Sequence, residues 1–227
     1  MPELKVATFD CYGTLVDSEG GLGAFLYDLA RRSGDSDPEP GGQLRRRWEE
    51  IEFELVQGSY RSYRDVLEDT LRTWVGERGY RWNVGEAEAL ERAMQSWQPF
   101  PDAVSSLARA QATGLRLAIV SNTDRYIMEE TLRQLRPLEF EAVLVAGDAR
   151  AYKPDSRPFT RVLHALDARP KEALHVAGNL QYDIAPAASL DFRTAWVNRR
   201  REPAAGGDTP FDHEWDSLWG LAGLAES

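Results

Sequence analysis

Cysteine is almost missing from this chain. Cys11 is the only one in 227 residues, so no internal disulfide framework can form. Histidine is nearly as scarce: His164, His175 and His213 are scattered, without metal-ligand spacing. Positive charge is in deficit. The 27 Lys and Arg face 37 Asp and Glu, for a net charge of −10. Nucleic acid and anionic membrane surfaces would be repelled as main partners, although a local cationic cleft can still take a small anionic substrate. No apolar run approaches the roughly 20 residues of a membrane span. No leader segment is evident, since Met1-Pro2-Glu3 leads straight into the first strand. The expectation is a cytoplasmic protein.

What is present suffices for a packed interior: 42% hydrophobic residues, seven of the 227 being Trp. The length suits one sizeable domain, or a core with a smaller cap. Leu4–Phe9 reads as a short buried strand, and Asp10 at its end is out of place, because a buried carboxylate is costly without partners. Gly13 then gives a sharp exit. From Asp17 to about Gln98 the pattern is helical, with Leu22, Phe25, Leu26 and Leu29 at three- and four-residue spacing. Three more amphipathic helices follow, near Leu44–Gln57, from Ser62 to Gly79 and from Val84 to Trp97. They suggest a small bundle. Single strands and helices then alternate: strands at Leu115–Val120, Phe140–Val145, Ala173–Ala177 and Thr194–Val197, helices between them. Such alternation implies right-handed crossovers and a parallel sheet. Arg199–Pro210 reads as a polar loop, and the tail from Phe211 as a short apolar end. The expected organisation is an α/β core, residues 1–16 and 99–227, with residues 17–98 inserted as a helical cap.

Polar residues gather at the strand ends. Asp10 follows the first strand, Ser121-Asn122 the second, Lys153-Pro154 the third, and Gly178-Asn179 with Asp183 the fourth. In a parallel sheet all four sets meet on one edge, where ligands bind. A carboxylate held there can act as a nucleophile. Lys153 would neutralise it and an anionic substrate, Ser121 and Asn122 would hold substrate oxygens, and Asp183 would activate water or bind a cation.

The stretch Asp10-Cys11-Tyr12-Gly13-Thr14-Leu15, with Ser121-Asn122, Tyr152-Lys153-Pro154-Asp155 and Asp183, resembles the signature of the haloacid dehalogenase (HAD) superfamily. The resemblance spans nearly the whole chain. It implies a Rossmann-like parallel sheet with an inserted helical cap, and a hydrolase in which Asp10 forms a covalent intermediate. Phosphatases of the superfamily usually carry an acid two residues after the nucleophile. Here Tyr12 stands there, with an ordinary pKa of about 10. The pattern is more similar to the L-2-haloacid dehalogenases, whose leaving halide needs no proton. Their cap segment Arg-x-Lys-Gln-Leu-Glu-Tyr resembles Arg47–Phe53, which points to Arg47 as the halide or carboxylate partner; Arg45 and Arg46 adjoin it and leave the register open. Glu49, Phe159 and Gly178-Asn179-Leu180 depart from the dehalogenase pattern.

The resemblance therefore implies Asp10, Lys153 and Asp183 as catalytic, and Tyr12, Thr14, Arg47, Ser121, Asn122 and Asn179 as substrate-binding. No cofactor is needed for dehalogenation. The alternative is a phosphatase passing through an aspartyl-phosphate, with Mg²⁺ on Asp10, the Tyr12 carbonyl and Asp183. A third reading is a non-enzymatic binding scaffold. The aromatic tail and helical block would support a homodimer. Cys11 is expected to be a buried neighbour of the site, since no His is placed to activate it.

Overall fold

The structure is a computed structural model that describes residues 3–204 and 210–226. Residues 1, 2, 205–209 and 227, which fall within the stretches read above, lie outside the described residues. Strand β1 (Val6–Phe9) is followed by helices α1 (Ser18–Arg32), α2 (Gly41–Val56), α3 (Tyr63–Glu77) and α4 (Glu86–Met94). The alternating part comprises α5 (Ala103–Ala112), β2 (Arg116–Ser121), α6 (Arg125–Gln134), β3 (Ala142–Val145), the short α7 (Ala146–Ala149), α8 (Ser156–Ala165) and β4 (Ala173–Ala177). Then come a helical turn at Leu180–Ile184, α9 (Ala185–Ser189), β5 (Arg193–Val197), β6 (His213–Trp215) and α10 (Trp219–Ala225).

The strands form one sheet in the order β3-β2-β1-β4-β5-β6, with every pairing parallel. β1 is central, so its C-terminal end lies between those of β2 and β4. Alternate residues face opposite sides of a strand. Ala7, Phe9, Leu174 and Val176 join one apolar cluster, and Val6 and Ala173 join another with Phe159 and Phe192. Helices thus cover both faces, as a parallel sheet requires. Strand β6 was not expected. Three residues, two of them charged or polar, carry no strand periodicity, and β6 forms by completing the edge beside β5.

The four inserted helices share a cluster of their own, including Leu26, Leu44, Trp48, Leu67, Trp74 and Leu90. Ser62 starts α3 by accepting from the Asp65 amide, a standard N-cap. The insertion leaves and rejoins the sheet at one place. Val16 and Pro99 form an antiparallel bridge. On either side of it the Asp17 amide donates to the Gln98 carbonyl at 2.9 Å, and the Phe100 amide to the Leu15 carbonyl at 2.9 Å. Among the described residues no helix is long and apolar enough to cross a membrane.

Candidate active site

Asp10 lies one residue beyond β1 and is 8% exposed. Its Oδ1 accepts from Lys153 Nζ at 2.9 Å, and its Oδ2 from Thr14 Oγ1 at 2.8 Å. The Thr14 hydroxyl also accepts from the Gly178 amide at 2.9 Å, which ties the loop after β1 to the loop after β4. Gly13 turns the chain with φ +89°, a conformation that glycine adopts without steric cost. A Cβ on Gly178 would stand 2.9 Å from the Gly13 carbonyl oxygen. A side chain at this position would therefore push the two loops apart. Gly178→Ser is expected to cost roughly 1–3 kcal/mol, read as a lowered denaturation midpoint; unchanged stability would show that the two loops can part.

Lys153 is 1% exposed. Its ammonium donates to Asp10 Oδ1 at 2.9 Å, Asp183 Oδ1 at 2.5 Å and the Val120 carbonyl at 2.9 Å, which uses all three protons. Asn122 fixes the Lys153 backbone from both sides. Its Oδ1 accepts from the Lys153 amide at 2.7 Å and its Nδ2 donates to the Lys153 carbonyl at 2.9 Å. The amide expected to hold substrate thus also places the lysine, and Asn122 lines the cavity. Asp183, 1% exposed, also meets His175 Nε2 at 3.0 Å, while His175 Nδ1 lies 2.9 Å from Thr8 Oγ1. The sequence reading missed His175 and Thr8. Their one signal was a polar residue inside each of two otherwise apolar strands.

Burial raises the Asp10 carboxyl above its ordinary value; Lys153 pulls it down, but Asp183 pushes it further up. Burial would also raise Asp183, yet the Lys153 ammonium and His175 outweigh it and hold that carboxyl low. Burial opposes the charge on Lys153, and the two carboxylates more than offset it. Thr14 lowers Asp10 by donating to its ionised form. Thr14→Val is therefore expected to move the acid limb of kcat/KM to higher pH. A limb left in place would mean the hydroxyl does not favour the carboxylate.

A cavity of about 800 Å³ opens over Asp10, between the strand ends and α2. Ser121 lines it, 3% exposed, and its Oγ has no hydrogen-bond partner among the described residues. Such a group is one that a ligand can satisfy. Tyr12 lines it too, but its hydroxyl is paired with Thr131 Oγ1 at 2.8 Å, and burial drives the phenol well above its ordinary value. Asn179 also borders the cavity; its Oδ1 accepts from the Gln181 and Tyr182 amides and caps the following helical turn. Thr14 acts on Asp10 rather than on the cavity. Cys11 is buried, free and raised by burial, in keeping with its expected passive place.

Arg47 requires correction. Its guanidinium is bonded to Glu77 and Glu50, and it does not line the cavity, whereas Arg45 and Arg46 do. Arg45 is 6% exposed, paired with Glu49 and lying 3.7 Å from Glu19.

The set expected to hold Mg²⁺, which takes a near-octahedral shell of oxygens, is partly engaged in hydrogen bonds. Asp183 Oδ1 already accepts from Lys153 and His175, and both Asp10 oxygens are occupied by Lys153 and Thr14. Among the described residues no group of three or more His, Cys, Asp and Glu is arranged to hold an ion.

Known proteins share this framework. An (S)-2-haloacid dehalogenase of Pseudomonas sp. (strain CBS-3) is 26% identical over 220 residues, 96% of this chain and 95% of that protein. A phosphoserine phosphatase of Thermus thermophilus is 31% identical over 150 residues, 60% of either chain. The structure of an L-2-haloacid dehalogenase from Xanthobacter autotrophicus with chloropropionic acid covalently bound superposes with a TM-score of 0.80 at 22% identity, covering 99% of each chain. The family model for haloacid dehalogenase-like hydrolases matches residues 4–191, and the chain belongs to that family of hydrolases.

Proposed function

We propose that the protein hydrolyses a small 2-haloacid through an ester on Asp10. The carrying observation is Tyr12. Two residues beyond the nucleophile there is no acid, only a phenol locked to Thr131 and raised by burial. A leaving group that must be protonated has no donor at that place, and a halide needs none. In the first step an Asp10 oxygen attacks C2 of the substrate, the carbon–halogen bond breaks, and the halide leaves with the bonding pair. Lys153 steadies the carboxylate for attack, and the open Ser121 hydroxyl serves the substrate's own carboxylate. Water then adds to the ester carbonyl, with Asp183 taking its proton. The products are a 2-hydroxy acid, halide and one proton. The names of the Pseudomonas and Xanthobacter proteins support this reading.

The inserted helices serve as the cap. In this reading Arg45, on the cavity wall, takes the part that the sequence pattern assigned to Arg47. Arg47→Ala is then expected to leave turnover within about twofold and to change stability little, as is usual for exposed ion pairs. A large loss of chloride release would return the role to Arg47.

The deciding experiment offers L-2-chloropropionate, further 2-haloacids and p-nitrophenyl phosphate, each with and without EDTA. Chloride release that EDTA does not affect is expected. Silence across the haloacids would reject the proposal. EDTA-sensitive phosphate release that depends on Asp10 would establish the aspartyl-phosphate alternative.

A further inference from the structure

We propose that His175 is the positioning residue for the hydrolytic half of the reaction: it locks the Asp183 carboxylate so that Oδ2 is the oxygen that takes the proton of the attacking water. The inference rests on the ester chemistry proposed above.

His175 is fully buried in the middle of β4. The β1–β4 register sets it beside Thr8, and the rings of Phe159 and Phe192 stand edge-on to it at 5.2 and 6.3 Å. The ring therefore has little freedom to turn. A neutral imidazole has one N–H and one bare nitrogen. Nε2 faces a carboxylate oxygen at 3.0 Å, so Nε2 carries the hydrogen. Nδ1 is then the acceptor for the Thr8 hydroxyl at 2.9 Å. This assigns the tautomer from its partners, as for any imidazole between two polar groups.

The consequence lies on Asp183. Its Oδ1 receives two donors, Lys153 Nζ and His175 Nε2. Oδ2 receives none among the described residues, and Asp183 lines the cavity. An oxygen that accepts two hydrogen bonds, one from an ammonium, has little basicity left. The other oxygen keeps it. Lys153 alone would permit the carboxylate to turn and offer either oxygen to the ammonium. The histidine removes that freedom. Phe159, six residues beyond Lys153, brings no hydroxyl of its own and serves as packing against the imidazole.

The step balances as follows. Water oxygen adds to the carbonyl carbon of the Asp10 ester, and one water proton passes to Asp183 Oδ2. The bond between that carbon and the substrate's alkoxy oxygen breaks, and the alkoxy oxygen takes the proton from Asp183. The 2-hydroxy acid leaves, and Asp10 returns to its carboxylate by losing one proton to solvent. The attack by Asp10 on the haloacid involves no proton and does not use His175.

The test separates the two halves. Wild type, His175→Phe and His175→Gln are mixed with a saturating 2-haloacid that the wild type turns over. The first-turnover halide burst is timed, and the Asp10 adduct is measured by mass spectrometry. In His175→Phe the burst is expected to stay within about twofold of wild type. Steady-state turnover should fall roughly 10- to 100-fold, part of the 10²–10⁴ that a general base contributes, and the adduct should accumulate. Gln can place an amide N–H where the ring Nε2–H stood, so it should recover most of the hydrolysis. Should the Phe variant not fold, His175→Asn, too short to reach Asp183, takes its place against Gln. Unchanged steady-state turnover overturns the inference, as does an equal fall of burst and turnover without adduct. A wild type that forms no adduct and releases no halide from any 2-haloacid overturns the ester chemistry itself.

Discussion

Asp10→Asn is expected to stop halide release, with a loss of roughly 10⁵-fold or more, the scale on which removal of a covalent nucleophile is felt. The amide keeps the shape of the carboxylate but lacks the charge that attacks C2. The fold should not suffer. Burial raises the Asp10 carboxyl in the folded protein, so its ionised form is held at a cost in stability at neutral pH. The neutral amide removes that cost, and Lys153 keeps Asp183 as its partner. Denaturation at pH 7 should therefore find the variant as stable as wild type or more so, the usual exchange between stability and a strained site. A variant that still turns over haloacid would end the nucleophile assignment. One that unfolds would show that Asp10 is chiefly structural.

Lys153→Met is expected to lose activity and also a large part of the stability. It removes the one ammonium between two buried carboxylates. Breaking a buried pair by deleting one partner costs on the order of 3–5 kcal/mol. The pH dependence gives a sharper sign. In wild type Lys153 is raised above its ordinary value near 10.5. Its contribution is thus complete below that value and is lost only as pH rises through the folded pKa. Asp183 is held low in wild type, so its contribution is present above the ordinary carboxylate range near 4 and is lost as pH falls. In the variant both carboxyls lose their cation, and burial raises both. A folded pKa above the unfolded one means that stability falls as pH rises. Lys153→Met should therefore be more stable at pH 5 than at pH 7, measured by urea denaturation. The double variant Lys153→Met with Asp183→Asn should regain stability but not turnover. Equal stability of the single variant and wild type at pH 7 would contradict the neutralising role.

The strand-end polar residues were legible because each is chemically out of place: a carboxylate after Phe9, a lysine before Pro154, an aspartate beyond an apolar strand. They could be found without knowing the register. The single strand–helix alternation announced the parallel sheet for the same local reason. The orientation of the arginine triplet was not legible. At 3.6 residues per turn, Arg45, Glu49 and Glu52 fall on one flank of the Leu44-Trp48-Ile51-Leu55 stripe, and Arg47 falls on the other. The stripe sets the phase of α2, but only the placement of the helix over the sheet decides which of the three arginines border the cavity. His175 was hidden differently. Its partners lie 167 and 8 residues away, and only the β1–β4 register brings Thr8 to it. Asn122 and Asn179 lie at the cavity as expected of their positions, and each also holds backbone through its side-chain amide, which a side chain's identity does not announce.

The Val16–Pro99 bridge has a consequence for how such a molecule can be rebuilt. The chain departs toward the helices and comes back at adjoining points, already joined by main-chain hydrogen bonds. The four inserted helices thus form a cassette with neighbouring ends. Replacing residues 17–98 by a short linker is expected to leave the strand order beneath unaltered, provided the buried Ile127, Ala146 and Tyr152, which pack against the helices, are given polar replacements.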